Sequence, residues 1–210
     1  MSTELGKLLL STLFAVLLLI IIVSVACLIK KFFKSKKKSN ITSFSPQEVS
    51  EHNQLRLLLL ERAMWSKLYI DAMIYHSTKT HTDSLHSKLL DNSDKLTHYL
   101  RSYLDSQNMT LVNELLTEQV ELILSITESV ITEEKNEEKI KDLFENSSEL
   151  VRILVSIKPQ LSFDKIERLL QKQNEYLIDM IKSGVEKDWK KNTDLYQKYY
   201  DSYDQLGREF

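Results

Sequence analysis

The chain has 210 residues, 42% hydrophobic and 28% charged, with 28 Lys and Arg against 30 Asp and Glu for a net charge of −2. One cysteine excludes an intramolecular disulfide framework, and three glycines with two prolines exclude a collagenous or loop-dominated chain. The charge is uneven: residues 1–43 carry seven lysines against Glu4, whereas residues 44–210 carry 21 basic and 29 acidic side chains, a surplus of negative charge that argues against a nucleic-acid partner.

Residues 1–7 read as a short tail, and an apolar run then extends from Leu8 to Ile29. At about 1.5 Å per residue a helix of this length covers roughly 33 Å, enough for a hydrocarbon core of about 30 Å, so residues 8–29 are expected to form a single transmembrane helix. Lys30, Lys31, Lys34, Lys36, Lys37 and Lys38 follow it, opening a basic juxtamembrane linker over residues 30–45. Lysines crowded on one flank favour the cytoplasmic side, which predicts an outer N-terminus and a cytosolic C-terminal domain, with the lipid bilayer as the first partner. The run is too long, and its charge on the wrong end, for a cleaved signal peptide. Ser24-Val25-Ala26-Cys27 only faintly resembles a lipoprotein cleavage site, because Ser24 stands where a large aliphatic belongs. Cys27 reads as a small apolar residue or as an S-palmitoylation site, and the lysine cluster as a stop-transfer signal that also gathers acidic lipid.

The remainder, residues 46–210, reads as one all-α domain, an antiparallel bundle of about six helices with no sustained period-two alternation. Ser45-Pro46-Gln47-Glu48 marks a helix start, with Ser45 as cap, proline at the first helical position and Glu48 completing a capping box. This helix is expected to run to about Ser77, with Leu55, Leu58, Arg62, Trp65, Tyr69 and Ala72 on one face and Arg62 as the unexpected member. Further helices are predicted at about 82–105, 109–132, 137–157, 162–183 and 186–207, separated by Lys79-Thr80-His81-Thr82, Ser106-Gln107-Asn108, Glu133-Glu134-Lys135-Asn136, Lys158-Pro159-Gln160 and Ser183-Gly184. The short connections make neighbours antiparallel.

A repeat at an offset of 54 residues predicts a duplicated hairpin. Leu90-x-Asn92-Ser93-x-x-Leu96-x-x-x-Leu100 returns as Phe144-x-Asn146-Ser147-x-x-Leu150-x-x-x-Leu154, and Leu115-Leu116-x-x-Gln119-x-Glu121 returns as Leu169-Leu170-x-x-Gln173-x-Glu175. Chemical motifs are scarce. His52, His76, His81, His86 and His98 lack metal-site spacing, and there is no nucleotide-binding glycine loop, His-Glu-x-x-His sequence or cysteine nucleophile in the domain. No catalytic residue, cofactor or metal is therefore assigned. Near the C-terminus Trp189, Tyr196, Tyr199 and Tyr203 lie in an aromatic stripe that either packs the last helix or, where exposed, offers an interaction face.

Leu58-Leu59-Leu60-Glu61-Arg62-Ala63-Met64-Trp65-Ser66-Lys67 resembles a degraded form of the motif Leu-Trp-x-x-His-Val-x-Trp-Thr-Arg, found in an uncharacterised family of bacterial helical bundles with relatives behind N-terminal anchors in large DNA viruses. The later segments Leu89-Leu90-Asp91-Asn92, Leu115 to Val120, Leu170 to Gln173, and Asp188-Trp189 with Tyr196 and Tyr200 follow in the family's order, so the resemblance covers residues 50–207. It implies a helical bundle, and the Lys/Asn/Ile-rich composition fits a viral source and a virion membrane. The family's recurrent histidines fall here on Arg62, Gln119, Gln173, and Tyr200 or Ser202, which abandons imidazole-based metal chemistry. A buried polar layer is expected in its place, with Arg62 donating to Gln119 and Gln173 and with Glu61 or Glu118 nearby. Because an unpaired buried guanidinium is costly, Arg62 must be paired or turned to solvent.

Two functions follow: a membrane-anchored, non-enzymatic interaction or structural module, or a ligand- or metal-binding helical-bundle enzyme with a carboxylate site drawn from Glu61, Glu118 and Glu121. A homo-oligomer stays open, although no small-x-x-x-small pattern in the apolar run argues for one.

Overall fold

The computed structural model describes residues 46–210, with side chains from residue 53 onward. The apolar run, the lysine cluster and the linker lie outside the described residues, and no described helix is long and apolar enough to cross a membrane. The described part is all-α: α1 (Pro46–Ile74), α2 (Lys79–Leu100), α3 (Ser106–Ile131), α4 (Glu137–Ile157), α5 (Phe163–Val185) and α6 (Trp189–Glu209).

Five boundaries differ by three residues or more from those expected: α2 ends at Leu100 rather than 105, α6 starts at Trp189 rather than 186, and the other three each have a local reason. The polar run from Lys79 is the exposed first turn of α2, closed by Thr82 N–H and His81 N–H on the Thr78 carbonyl at 3.1 and 2.9 Å. Asp105 caps α3 by accepting from the Asn108 backbone N–H at 2.8 Å, so Ser106-Gln107-Asn108 begins a helix rather than separating two. At the far end of α1, His76 takes φ 52° and Ser77 N–H reaches back to the Ala72 carbonyl at 2.9 Å, which stops the helix three residues early.

That stop occurs three times. Glu133 (φ 58°) and Lys187 (φ 59°) end α3 and α5 in the same left-handed conformation, with Glu134 N–H on Ser129 O at 2.8 Å and Asp188 N–H on Ser183 O at 2.9 Å. The packing has the same three-part rhythm. α1, α3 and α5 contact one another as an inner triangle, and each outer helix bridges two of them: α2 lies on α1 and α3, α4 on α3 and α5, α6 on α5 and α1. Equivalent inner positions recur as Leu58, Leu115 and Leu169, as Leu59, Leu116 and Leu170, and as Arg62, Gln119 and Gln173, all buried. The duplicated hairpin seen in the sequence is therefore two thirds of a pseudo-threefold bundle, whose last third is formed by α6 with α1.

Near the Pro46 end the pseudo-threefold sets meet around a small apolar cavity of about 50 Å³. Its wall includes Leu59, Leu116 and Leu170 from the inner helices and Leu96, Leu150 and Leu206 from the outer ones. A third set, Leu100, Leu154 and Phe210, closes the end. α6 comes close to α1 at Gly207, where an added Cβ would stand 3.0 Å from the Arg56 Cα.

Candidate functional site

Halfway along α1 the leucine rhythm is broken by Arg62, which is 1% exposed. Its neighbours on α2 and α3 turn their oxygens inward. Nη1 donates to Ser93 Oγ at 3.0 Å, Nη2 to the Leu116 carbonyl at 2.8 Å and to Gln119 Oε1 at 2.9 Å, and Nε to the same Oε1 at 3.3 Å. No described carboxylate pairs with it. Neutral oxygens converging on one guanidinium replace its hydration shell, which is how a charge can remain in this interior.

The network continues around the bundle. Gln119 Nε2 approaches Ser147 Oγ on α4 at 3.5 Å, and Asn174 Nδ2 on α5 donates to the same hydroxyl at 2.8 Å and to the Leu143 carbonyl at 3.3 Å. One polar side chain from each of α1 to α5 thus forms a belt. α6 completes the layer with Tyr199, whose phenol is held well above its usual range by burial and then by Tyr203, against smaller opposing pulls from Ser66 and, last, the charge of Arg62.

The expected polar layer therefore exists, with two corrections. Gln173 is buried in the position equivalent to Gln119, but the donors of Arg62 go to Ser93, Leu116 and Gln119 rather than to it, and its Nε2 has no partner. Glu61 and Glu118 stay outside; Glu118 is exposed and accepts from Asn146 Nδ2 at 2.8 Å. Ser93, Ser147 and Asn174 were not singled out as site residues, although the Asn-Ser pair at 92–93 and 146–147 was the visible signal. Each asparagine of that pair ties its outer helix to an inner one, Asn92 Nδ2 to Leu58 O at 2.9 Å and Asn146 Nδ2 to Leu115 O at 3.0 Å.

The chemistry open to this layer is narrow. A guanidinium offers donors and no acceptor, Arg62 spends its donors on oxygens inside the bundle, and its burial keeps solutes away. Glu61, Glu118 and Glu121 do not converge: Glu121 instead receives His86 Nε2 at 2.9 Å on the surface. Among the described residues no group of three or more His, Cys, Asp or Glu side chains is placed to hold a metal. His86 stacks on Tyr69 with ring centroids 5.9 Å apart, beside an open cleft of about 450 Å³ that also contains Asp83 and Glu128. Burial, then the charges of Glu121, Glu128 and Asp83, push the Tyr69 phenol up to about 12.

The aromatic stripe of α6 divides. Tyr199 and Tyr203 are interior, packed edge to face with centroids 5.1 Å apart, and so are not an interaction face. Tyr196 is half-buried against Tyr200 and under the Lys67 ammonium. Only Trp189, at 47%, is exposed, and it lies against Tyr75 of α1 with centroids 5.7 Å apart.

Comparison with family models, with curated proteins and with solved structures finds no match for this chain.

Proposed function

We propose that this chain is a membrane-tethered, non-enzymatic interaction module: a single span at Leu8–Ile29, a basic linker, and a cytosolic helical bundle that presents a fixed surface to a protein partner. The observation that carries the reading is the apolar run followed at once by six lysines, which is long enough to cross a bilayer and directional in its charge. The bundle supports the non-enzymatic half. Arg62, the one buried charge among the described residues, is surrounded by neutral oxygens within the protein, and the carboxylates of the alternative enzyme reading face different neighbours. The degraded motif adds that this chain is a divergent member of the bacterial and viral bundle family, with its histidines exchanged for Arg62, Gln119 and Gln173.

Topology is tested by expressing the full chain in a glycosylation-competent eukaryotic cell. Asn40-Ile41-Thr42 and Asn108-Met109-Thr110 are the informative acceptors; Asn146 is buried and engaged with Leu115 and Glu118. Unglycosylated chain whose bundle is digested by protease added to the cytosolic face is the expected result. Glycosylation with protection would place the bundle on the lumenal side and overturn the orientation.

A further inference from the structure

On α1, opposite the face that packs into the core, Leu57 (62% exposed), Met64 (37%) and Leu68 (42%) stand in solvent, and Tyr75 (52%), the first residue past Ile74, continues the row with its N–H on the Asp71 carbonyl at 2.9 Å. At about 100° per residue, spacings of seven, four and seven bring these four side chains within about 40° of one another, a single stripe about 27 Å long. Trp189 extends it at the Tyr75 end.

The pseudo-threefold fold supplies its own control. At the equivalent positions α3 carries Glu114, Glu121, Ser125 and Thr132. α5 carries Arg168, Glu175, Asp179 and Glu186. Two of three inner helices therefore give this face to water, and α1 alone makes it apolar at all four places. Core packing does not require the change, since the buried positions of the three helices match. Large apolar side chains held in water at four places along five turns of one helix face are the mark of a surface that another molecule covers.

The charges beside the stripe indicate which molecule. Glu61 and Asp71 lie within about 40° of the stripe's centre line, ten residues apart, and Asp71 is answered only by Lys67 of its own helix. In a second copy packed in parallel, Glu61 would face Glu61 and Asp71 would face Asp71. In an antiparallel copy centred on residue 66, Leu57 would meet Tyr75 and Met64 would meet Leu68, but Glu61 would meet Asp71. Both arrangements oppose like charges, whereas a helix with cations at the matching places would satisfy them.

We propose that the α1 stripe is the docking face for a basic amphipathic helix of a partner protein, apolar at i, i+7, i+11 and i+18 and carrying Lys or Arg about ten residues apart beside that row. The inference rests on the reading of the bundle as an interaction module. It is independent of topology, because peptide binding does not depend on which side of a membrane the bundle occupies, so the glycosylation experiment can fail while this one succeeds.

The test uses the full chain in phosphatidylcholine nanodiscs and two fluorescein-labelled helical peptides of 21 residues, about the length of the stripe. Both have leucines at the four apolar places, and they differ only in lysines or glutamates at i+4 and i+14. Fluorescence anisotropy is expected to show the lysine peptide binding at least about tenfold tighter than the glutamate peptide. Met64→Glu with Leu68→Ser, which copies Glu121 and Ser125 on the solvated face of α3, should weaken the lysine peptide by at least about tenfold while the thermal unfolding curve stays in place. Glu61→Lys with Asp71→Lys should reverse the preference. Equal binding of the two peptides, no binding of either, or a detergent-solubilised dimer that Leu68→Ser converts to monomer would overturn the proposal, the last in favour of a second copy as occupant.

Discussion

The hairpin α2–α3 and the hairpin α4–α5 carry the same residues at matched places and use them differently. Asn92 and Asn146 share one task, each tying an outer helix to the carbonyl of an inner leucine, although Asn146 also donates to Glu118. Ser93 and Ser147 are both buried acceptors, but Ser93 receives a guanidinium and Ser147 a neutral amide. Gln119 and Gln173 diverge completely: the first accepts twice from Arg62, whereas the second has an amide nitrogen with no partner. The cause lies outside both hairpins. Arg62 occurs only once, on α1, and its donors reach the neighbouring sectors on one side. A repeated residue thus keeps its place in the fold while its role is set by what the adjacent helix presents.

The largest effect is expected where that difference is removed. Gln119→Leu takes away the oxygen that accepts from both Nε and Nη2 and leaves a buried charge under-solvated, at a cost of about 3–5 kcal/mol. At about 2–4 °C per kcal/mol for a domain of this size, thermal unfolding should fall by about 10 °C or more. Arg62→Met should cost less, because it leaves only neutral acceptors behind and removes the charge itself. Gln173→Leu should be neutral or slightly stabilising, since an unpartnered buried donor is replaced by an apolar group. Equal losses at Gln119 and Gln173 in calorimetry would break the distinction between the two hairpins.

Next in size is the third sector, where α6 departs from its equivalents at Gly207. α2 and α4 place Thr97 and Val151 at that level, whereas a Cβ on Gly207 would press 3.0 Å from the Arg56 Cα and 3.1 Å from its Cβ and Cγ. Gly207→Val, which copies α4, should therefore cost about 1–3 kcal/mol through forced separation of α1 and α6. The ion pairs of Asp204 with Arg56 and Arg208 lie beside the same contact, so chemical denaturation should show the loss together with an altered acid limb. Arg56 first, and Arg208 with it, hold the Asp204 carboxyl below its ordinary value, so this contribution is present above the ordinary aspartate range and is lost as pH falls through it.

Much of this architecture was legible in the sequence because leucine spacing and the 54-residue repeat are fixed by packing, which leaves a periodic trace. The six helices follow from that trace and the start at Pro46 from its capping residues, whereas for Arg62 the spacing placed it on the core face and left open whether it is paired inside, as it is, or turned to solvent. Boundaries were less legible. Lys79-Thr80-His81-Thr82 and Ser106-Gln107-Asn108 have turn-like composition, yet the first turn of a surface helix tolerates the same residues, and the deciding groups were Thr78 and Asp105 just before them. The third sector was hidden because α1 and α3 repeat at 57 residues rather than 54, and because α6 replaces the Leu89 and Leu143 positions with Tyr199. The exposed row Leu57, Met64, Leu68 and Tyr75 was hidden for a different reason: apolar residues around much of a helix do not by themselves show which side faces the core.

The tyrosine that marks the third sector gives a pH-dependent test of a size between the packing change and the turns. Leu89 and Leu143 cannot ionise, whereas burial holds the phenol of Tyr199 protonated above its ordinary value near 10. Below that pH neither the folded nor the unfolded chain has lost the proton, and stability does not depend on it. As pH rises past 10 the unfolded chain releases the proton and the native one retains it, so stability falls, by up to about 1.4 kcal/mol for each pH unit of that window. Melting temperatures from pH 8 to 11.5 should decline less steeply in Tyr199→Phe than in the wild type. Tyr69→Phe should flatten the same limb, because that phenol is pushed up to about 12. A wild-type slope unchanged by Tyr199→Phe would mean the phenol titrates normally and is not sealed in the layer.

The smallest effect is expected where the three sectors agree. His76, Glu133 and Lys187 each hold a left-handed backbone with a Cβ that opposes it, and the strain of roughly 1–2 kcal/mol per residue is only partly offset by the entropy glycine would lose. His76→Gly, Glu133→Gly and Lys187→Gly should each therefore stabilise the bundle by about 0.5–1 kcal/mol. If the three effects add, the triple variant should melt about 5 °C higher. Because none of the three side chains belongs to the buried layer, this gain should survive in a Gln119→Leu background. Failure of one turn to respond would show that its side chain makes a compensating contact, and that the pseudo-threefold equivalence of the stops is one of backbone geometry alone.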